Sequence, residues 1–521
     1  MKKITILLLT AAALASGCKR FTDINQNPNQ PTSVTPNVVL SAALNASAGS
    51  MTDQFNLNEW MGYWSRSGNY ISVQSTEQYQ TSTGYADGTF QNLYGTLSKY
   101  NYIEKTALAS PTTLAFYAGV AKTMKAVHFS TLVDLFGNVP YSQAFQINKY
   151  PTPAYDDAQT IYNNLVTQLD SAVFYFNAAI TYYGGAPSTV IKTDDQYDIM
   201  FGRGLGTSPT ARVTKWIAFA NTVKLKILMN EYAVAPSSYI TGEIAKITAN
   251  GAGYLTAGLS ASVNPGYSTA TQAQMSPLYG AFYTNGGSTT TNQNFFRANT
   301  YAVNFYNSTG DPARLTLVYQ APFLGSNYDG DPNSTPNPGT SGIGTGILQS
   351  PSQDQLIMSD FESLFTQAEA TARGYLPGGG AAASALLNQA IEQNFIYLGD
   401  NATDADGYYA SDNPNVNFEA AVANPVPAGV KADHTPGMQA IITQKWIALN
   451  GINWIQAYTD YRRTGFPLSS VLDISHANAH VRNAIPYRYL YPQSEYDTNG
   501  KNVPSLANGQ YTPIFWDKLH N

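Results

Sequence analysis

Between Glu59 and Tyr85 the chain reads EWMGYWSRSGNYISVQSTEQYQTSTGY, which sets Trp60, Tyr63, Trp64, Arg66, Asn69, Tyr70 and Tyr79 within 20 residues. Indole and phenol rings offer flat apolar faces on which C–H surfaces stack, and amide or guanidinium groups beside them fix hydroxyls. A polyhydroxylated ring needs that pairing of chemistries. Trp60 and Trp64 also stand four apart, so the same spacing fits a buried stripe on one helix. Asn69 and Tyr70 lie past the expected helix end and escape that alternative.

Other residues of chemically useful types form weaker patterns. The segment HANAH sets His476 and His480 four apart, as a helical metal pair would be, but lacks the Glu of a zinc-protease motif; solvated or capping histidines are the expectation. DNATDADGYY resembles a calcium loop, yet in that register its first and twelfth positions are Ala402 and Asn413, so a polar turn is expected. GRGLG near Gly202 and GTSGIGTG near Gly342 lack the preceding strand and the Gly-Lys-Ser/Thr ending of a phosphate cradle. There is no GxSxG elbow, and the single cysteine, Cys18, follows an apolar leader. A glycoside hydrolase would need two carboxylates about 5 to 10 Å apart, which spacing along a chain cannot exclude among 34 acidic residues. A lipid-anchored hydrolase is therefore the alternative to a binding protein. The expectation is a non-enzyme with no cofactor and no metal.

The elements that must position these residues are mostly helices. In LAFYAGVAKTMKAVHFSTLVDLFG, Tyr117, Val120, Met124, Val127, Thr131 and Leu135 line one face. YDDAQTIYNNLVTQLDSAVFYF repeats the spacing with Ile161, Leu165, Leu169, Ala172 and Phe176, and Asp156 and Asp157 stand where a helix would start. Four further segments behave alike, in neighbouring pairs. Long stretches rich in Gly, Ser, Thr and Asn, notably 251–300, separate them and read as loops. No composition break marks a domain boundary, so the fold class expected is mainly α, one large domain with long irregular loops.

Composition excludes some partners. Charged residues make up 12% of the chain, about half the usual share, while Tyr numbers 37. The net charge of −6 and the lack of a long basic run speak against nucleic acid. MKKITILLLTAAALASGC reads as a basic start, an apolar run too short to span a bilayer, and small residues before a cysteine. This is a lipoprotein leader, with Cys18 as the lipidated first residue of the mature chain. After cleavage 26 basic residues face 34 acidic ones, a net charge near −8.

Six segments in order carry a family resemblance: CKRFTDINQNPNQPT, HFSTLVDLFGNVPYSQAF, YPTPAYDDAQTIYNNLVTQLDSA, LIMSDFESLFTQAEATARGYL, QKWIALNGINWIQAYTDYRRTGFP and IPYRYLYPQSEYDTNGKNV. They resemble the motifs of the SusD/RagB nutrient-binding outer-membrane lipoproteins of Bacteroidetes. The resemblance implies a helical scaffold with tetratricopeptide-like pairs and a loop-rich ligand face. It implies an outer-membrane, lipid-anchored protein at the cell exterior, working with a TonB-dependent transporter of SusC type to take up glycans or other nutrients. It divides the chain into a signal peptide over 1–17, a lipidated tether over 18–36 and a nutrient-binding domain over 37–521. In related proteins the ligand face draws on the segment after the first helix and on a mid-chain loop. The ligand-binding candidates are thus Trp64, Arg66, Asn69, Tyr70 and Tyr79, joined by Tyr279, Tyr283 and Arg297.

Overall fold

A computed structural model describes residues 34–70, 75–203, 208–326, 339–468 and 484–520. Cys18, His476 and His480 lie outside the described residues. The chain is mostly helical, and its buried side chains form one continuous core from Leu40 to Trp516.

The helix Ala158–Tyr183 shows how sequence makes the scaffold. The Asp157 carboxylate accepts from the Thr160 backbone N–H at 2.9 Å and caps the first turn. The stripe Ile161, Leu165, Leu169, Ala172 and Phe176 is buried, against the helices Ala115–Phe136 and Pro209–Asn230. At the first of these contacts Phe176 rests on Gly119, where a Cβ would stand 2.6 Å from its ring; only glycine permits that approach. The helix Ala115–Phe136 departs from the one-sided burial expected of it. All of its residues except Lys125 and Val127 are buried, because Asp87–Leu108 covers one side and Ala158–Tyr183 the other.

The second half repeats the pairing. Asp360–Ala372 packs on Gly379–Leu398, and Met438–Ala448 on Asp360–Ala372 and Trp454–Thr464. These successive pairs are the helix-turn-helix stacking expected from the sequence. Two sequence readings are corrected. Residues Ala402–Tyr409 are a helix, capped by Asn401 through the Asp404 N–H, rather than a polar turn. The 251–300 stretch contains strands and the short helices Pro277–Phe282 and Thr291–Phe295, because its aromatics are packed.

Among the described residues, six short strands complete the fold: β1 (Trp64–Arg66), β2 (Val139–Pro140), β3 (Tyr155–Asp156), β4 (Ala261–Val263), β5 (Phe296–Ala298) and β6 (Gln355–Met358). They pair antiparallel as β1–β5, β2–β3 and β4–β6. Among the described residues no helix is long and apolar enough to cross a membrane.

Candidate ligand-binding site

The β1–β5 pairing joins the two segments that hold the candidate residues, although more than 200 positions separate them. Trp64 lies opposite Ala298, Ser65 opposite Arg297 and Arg66 opposite Phe296. Beyond the strand, the Ser67 N–H donates to the Phe295 carbonyl at 2.7 Å, and the Tyr70 N–H donates back to Ser67 at 3.0 Å. The chain thus turns over the end of β5, with Asn69 exposed at the tip and Tyr70 half-buried. The Tyr70 ring meets Phe295 edge-on, centroids 5.1 Å apart.

Of the mid-chain candidates, Arg297 stands on this sheet, and Tyr279 and Tyr283 connect to it through Gln293. Tyr279 belongs to the helix Pro277–Phe282 and Tyr283 follows its last residue; their rings stack at 4.9 Å with planes 26° apart. Burial first, and then Tyr283, raise the Tyr279 phenol, so it is neutral. Gln293 donates from its amide to the Tyr283 hydroxyl at 3.2 Å, and its backbone carbonyl accepts from Arg297 Nη1 at 2.5 Å. This gives an ordered line from Tyr279 through Tyr283 and Gln293 to Arg297. Two buried polar atoms on it, Arg297 Nε and Gln293 Oε1, have no hydrogen-bond partner among the described residues. Desolvation lowers the Arg297 pKa, which the nearby Tyr70 phenol opposes. A partly desolvated guanidinium with an unused donor is the kind of group that donates to hydroxyl or carbonyl oxygens. The bare backbone of Gly342 lets the Gln320 and Arg297 side chains pack close to it, since a Cβ would come within 2.8 Å of Gln320 Oε1 and 3.3 Å of Arg297 Nη1.

Three candidates point inward and are corrected. Trp64 is fully buried among Phe55, Phe282, Phe296 and Trp454, so its ring has no face left for a ligand. Arg66 is equally buried; its Nε pairs with Glu77 at 2.9 Å and its Nη1 donates to the Tyr70 carbonyl, so it braces the turn from within. Tyr79 is 5% exposed and packs edge-on against Trp60, itself a core residue that donates to the Thr76 carbonyl. Burial of Trp60 and Trp64 does not come from a shared helical stripe: the helix Asn56–Trp60 ends before β1 begins. What remains at the surface is Asn69, Tyr70, Tyr279, Tyr283 and Arg297. Sequence reasoning missed Gln293, Phe295 and Gln320. An amide four residues before Arg297 was the available signal for the first.

Comparison with known proteins assigns the architecture. A family model described as SusD-like, starch-binding and associating with the outer membrane, matches residues 28–492. A SusD-like protein from Bacteroides thetaiotaomicron superposes with a TM-score of 0.69 at 19% identity, over 92% of this chain and 98% of its own. A SusD homologue from Bacteroides vulgatus gives 0.70 at 19% identity, over 90% and 92%. A chitin-binding SusD homologue from Flavobacterium johnsoniae gives 0.69 at 20% identity, over 92% and 98%. No curated protein matches the sequence significantly. With a family match from residue 28 to residue 492 and this helical fold repeated across those structures, the chain belongs to the SusD-like family of proteins that associate with the outer membrane.

Proposed function

We propose that this protein is a cell-surface lipoprotein that binds a glycan on the face formed by Asn69, Tyr70, Tyr279, Tyr283 and Arg297, and delivers it to a TonB-dependent transporter of SusC type. The observation that carries this reading is the β1–β5 pairing, which brings two distant aromatic segments to one surface and leaves Arg297 Nε and Gln293 Oε1 unpartnered beside stacked phenols. Stacked Tyr rings take the C–H face of a sugar, the guanidinium donates to its oxygens, and the Gln293 amide oxygen accepts from its hydroxyls. The family's description as starch-binding and the chitin-binding relative support a glycan as the ligand. Binding without hydrolysis is expected.

A glycan panel followed by calorimetry tests the site. Tyr70→Ala and Tyr283→Ala should each weaken binding of the selected glycan by about 1–3 kcal/mol, roughly 5- to 150-fold, with helix content unchanged. Wild-type affinity in both variants would remove the site from this surface. Release of new reducing ends by the wild-type protein would favour the hydrolase alternative instead.

The anchor and partner have their own test. Cells expressing the wild type should incorporate radioactive palmitate at Cys18 and, after mild detergent extraction, yield the protein together with a large β-barrel. Cys18→Ala should lose the label and leave the membrane fraction while keeping its fold, since lipid alone supplies that attachment. An unlabelled wild-type protein refutes the anchor, and recovery of the wild type without a barrel refutes the partner.

A further inference from the structure

A second cleft lies away from the β1–β5 surface, against the helices Asp87–Leu108, Ala115–Phe136 and Ala158–Tyr183 and the loop over 141–146, with a volume of about 400 Å³. That is the size of a small-molecule pocket. Its polar floor is unusual in charge. Lys122 Nζ donates to Glu104 at 2.8 Å and to Gln168 at 2.6 Å, and Lys125 Nζ donates to the other Glu104 oxygen at 2.7 Å. Two ammonium groups therefore share one carboxylate. Burial would raise the Glu104 carboxyl, but Lys125 and Lys122 outweigh it and hold it below the usual carboxylate range, so it stays ionised and the floor carries one excess positive charge. Lys105 adds a further cation at the rim, in a chain whose net charge is −6.

Each ammonium has three N–H donors. Of these six, the described residues occupy two on Lys122 and one on Lys125, which leaves three for a ligand. Lys122 is only 9% exposed, so a group bonded to it is partly shielded from water. Among its polar lining, which includes Asn101, Ser142 and Gln146, stands one aromatic patch. Phe129 and Tyr141 meet edge-on at 4.7 Å, and Phe145 packs near both Tyr94 and Phe129. Phe145 sits at φ +60°, a left-handed conformation disfavoured for a residue with a side chain, so its surroundings hold the ring in place at a local cost.

We propose that this cleft is a second ligand site, for a small molecule that carries one carboxylate on a ring or apolar body. The carboxylate meets the free donors of Lys122 and Lys125, replaces the missing half of their charge balance, and leaves the ring against Tyr141 and Phe145, the half-buried aromatics of the lining. An acidic sugar and an acylated amino acid share that chemistry, and the experiment separates them.

The full chain is titrated with D-glucuronate, D-glucose, N-acetyl-L-phenylalanine and N-acetyl-L-phenylalaninamide, with binding read by saturation-transfer NMR and calorimetry. At least one carboxylate should bind, its neutral counterpart should not, and the binder names the source. Lys125→Met should weaken that binding about tenfold or more. It keeps the Lys122–Glu104 pair and with it the fold. Tyr70→Ala should leave it unchanged, which separates this site from the glycan surface. On the wild type, raising sodium chloride from about 20 to 500 mM should weaken the same binding several-fold, as charge recognition requires. Failure of both carboxylates to bind, equal binding of a neutral counterpart, unaltered affinity in Lys125→Met, or indifference to salt would each overturn the proposal.

Discussion

Trp64→Ala should destabilise the protein by about 3–5 kcal/mol, while Tyr70→Ala, six residues on, should leave its stability almost unchanged. Trp64 is fully buried, with ring centroids at 5.3 Å from Phe296, 5.6 Å from Phe282, 6.0 Å from Phe55 and 6.1 Å from Trp454. Close packing leaves nothing to fill the cavity: across the ring, a Cβ on Gly451 would already lie 3.2 Å from it, and the positive φ of +68° at Gly451 fixes the backbone there. The indole N–H has no partner among the described residues, so the loss is one of packing and not of a hydrogen bond. Trp64→Phe should accordingly lose less than half as much. Thermal melts of the three variants check this; a Trp64→Ala protein that melts with the wild type would return Trp64 to the surface and to the list of ligand contacts.

That contrast marks where the sequence was legible. Helix period is a local property, so Ile161, Leu165, Leu169, Ala172 and Phe176 announced the buried face of their helix, and Asp157 its start. Sheet pairing between three-residue strands is not local. Nothing in WSR or FRA shows that Ser65 will face Arg297, and with no alternation to read, the inward direction of Trp64 and Arg66 was hidden. The family resemblance points to both segments, so it groups Tyr70, Tyr283 and Arg297 although no local pattern reveals the strand pairing that brings the segments together. Arg66 misled for a further reason. Arginine is usually a surface residue, and its Glu77 partner, 11 positions on, together with the Tyr70 carbonyl, allows it inside. The residue types were right for ligand contact; burial decided otherwise.

The same principle, acting on more charges, carries the other large effect. Glu369 is fully buried, and its carboxylate receives Arg463 through two nitrogens and Arg373 through two more, at 2.9 and 3.0 Å. Arg463 also holds Asp460, which Lys445 meets at 2.9 Å, and Arg373 holds Asp433 while lying 3.4 Å over the Tyr232 ring. Three cations and three carboxylates thus balance across the helices Asp360–Ala372, Met438–Ala448 and Trp454–Thr464, together with Asp433. Glu369→Gln keeps the shape but leaves one buried positive charge without its counterpart, and should cost about 3–5 kcal/mol at pH 7.

The sign of the pH dependence follows from the carboxyls. Burial alone would raise Glu369, but Arg463 and Arg373 outweigh it and hold it below its ordinary 4.5; burial likewise opposes Asp433, which Arg373 and the Thr435 N–H bring down to about 2. Groups with folded pKa values below their unfolded ones stabilise the fold above the unfolded pKa and lose that contribution as pH falls through the folded one. Wild-type stability should therefore fall as the pH drops below about 4.5, where the unfolded Glu begins to take up protons. Glu369→Gln has no proton to gain at this position, so its deficit relative to wild type should be largest near pH 7 and should shrink steadily under acid. Denaturant titrations of both proteins at pH 7 and near pH 3 measure the gap directly. A difference under about 1 kcal/mol at pH 7, or one that is the same at both pH values, would show that these charges sit in a wetter and more forgiving environment than their burial implies.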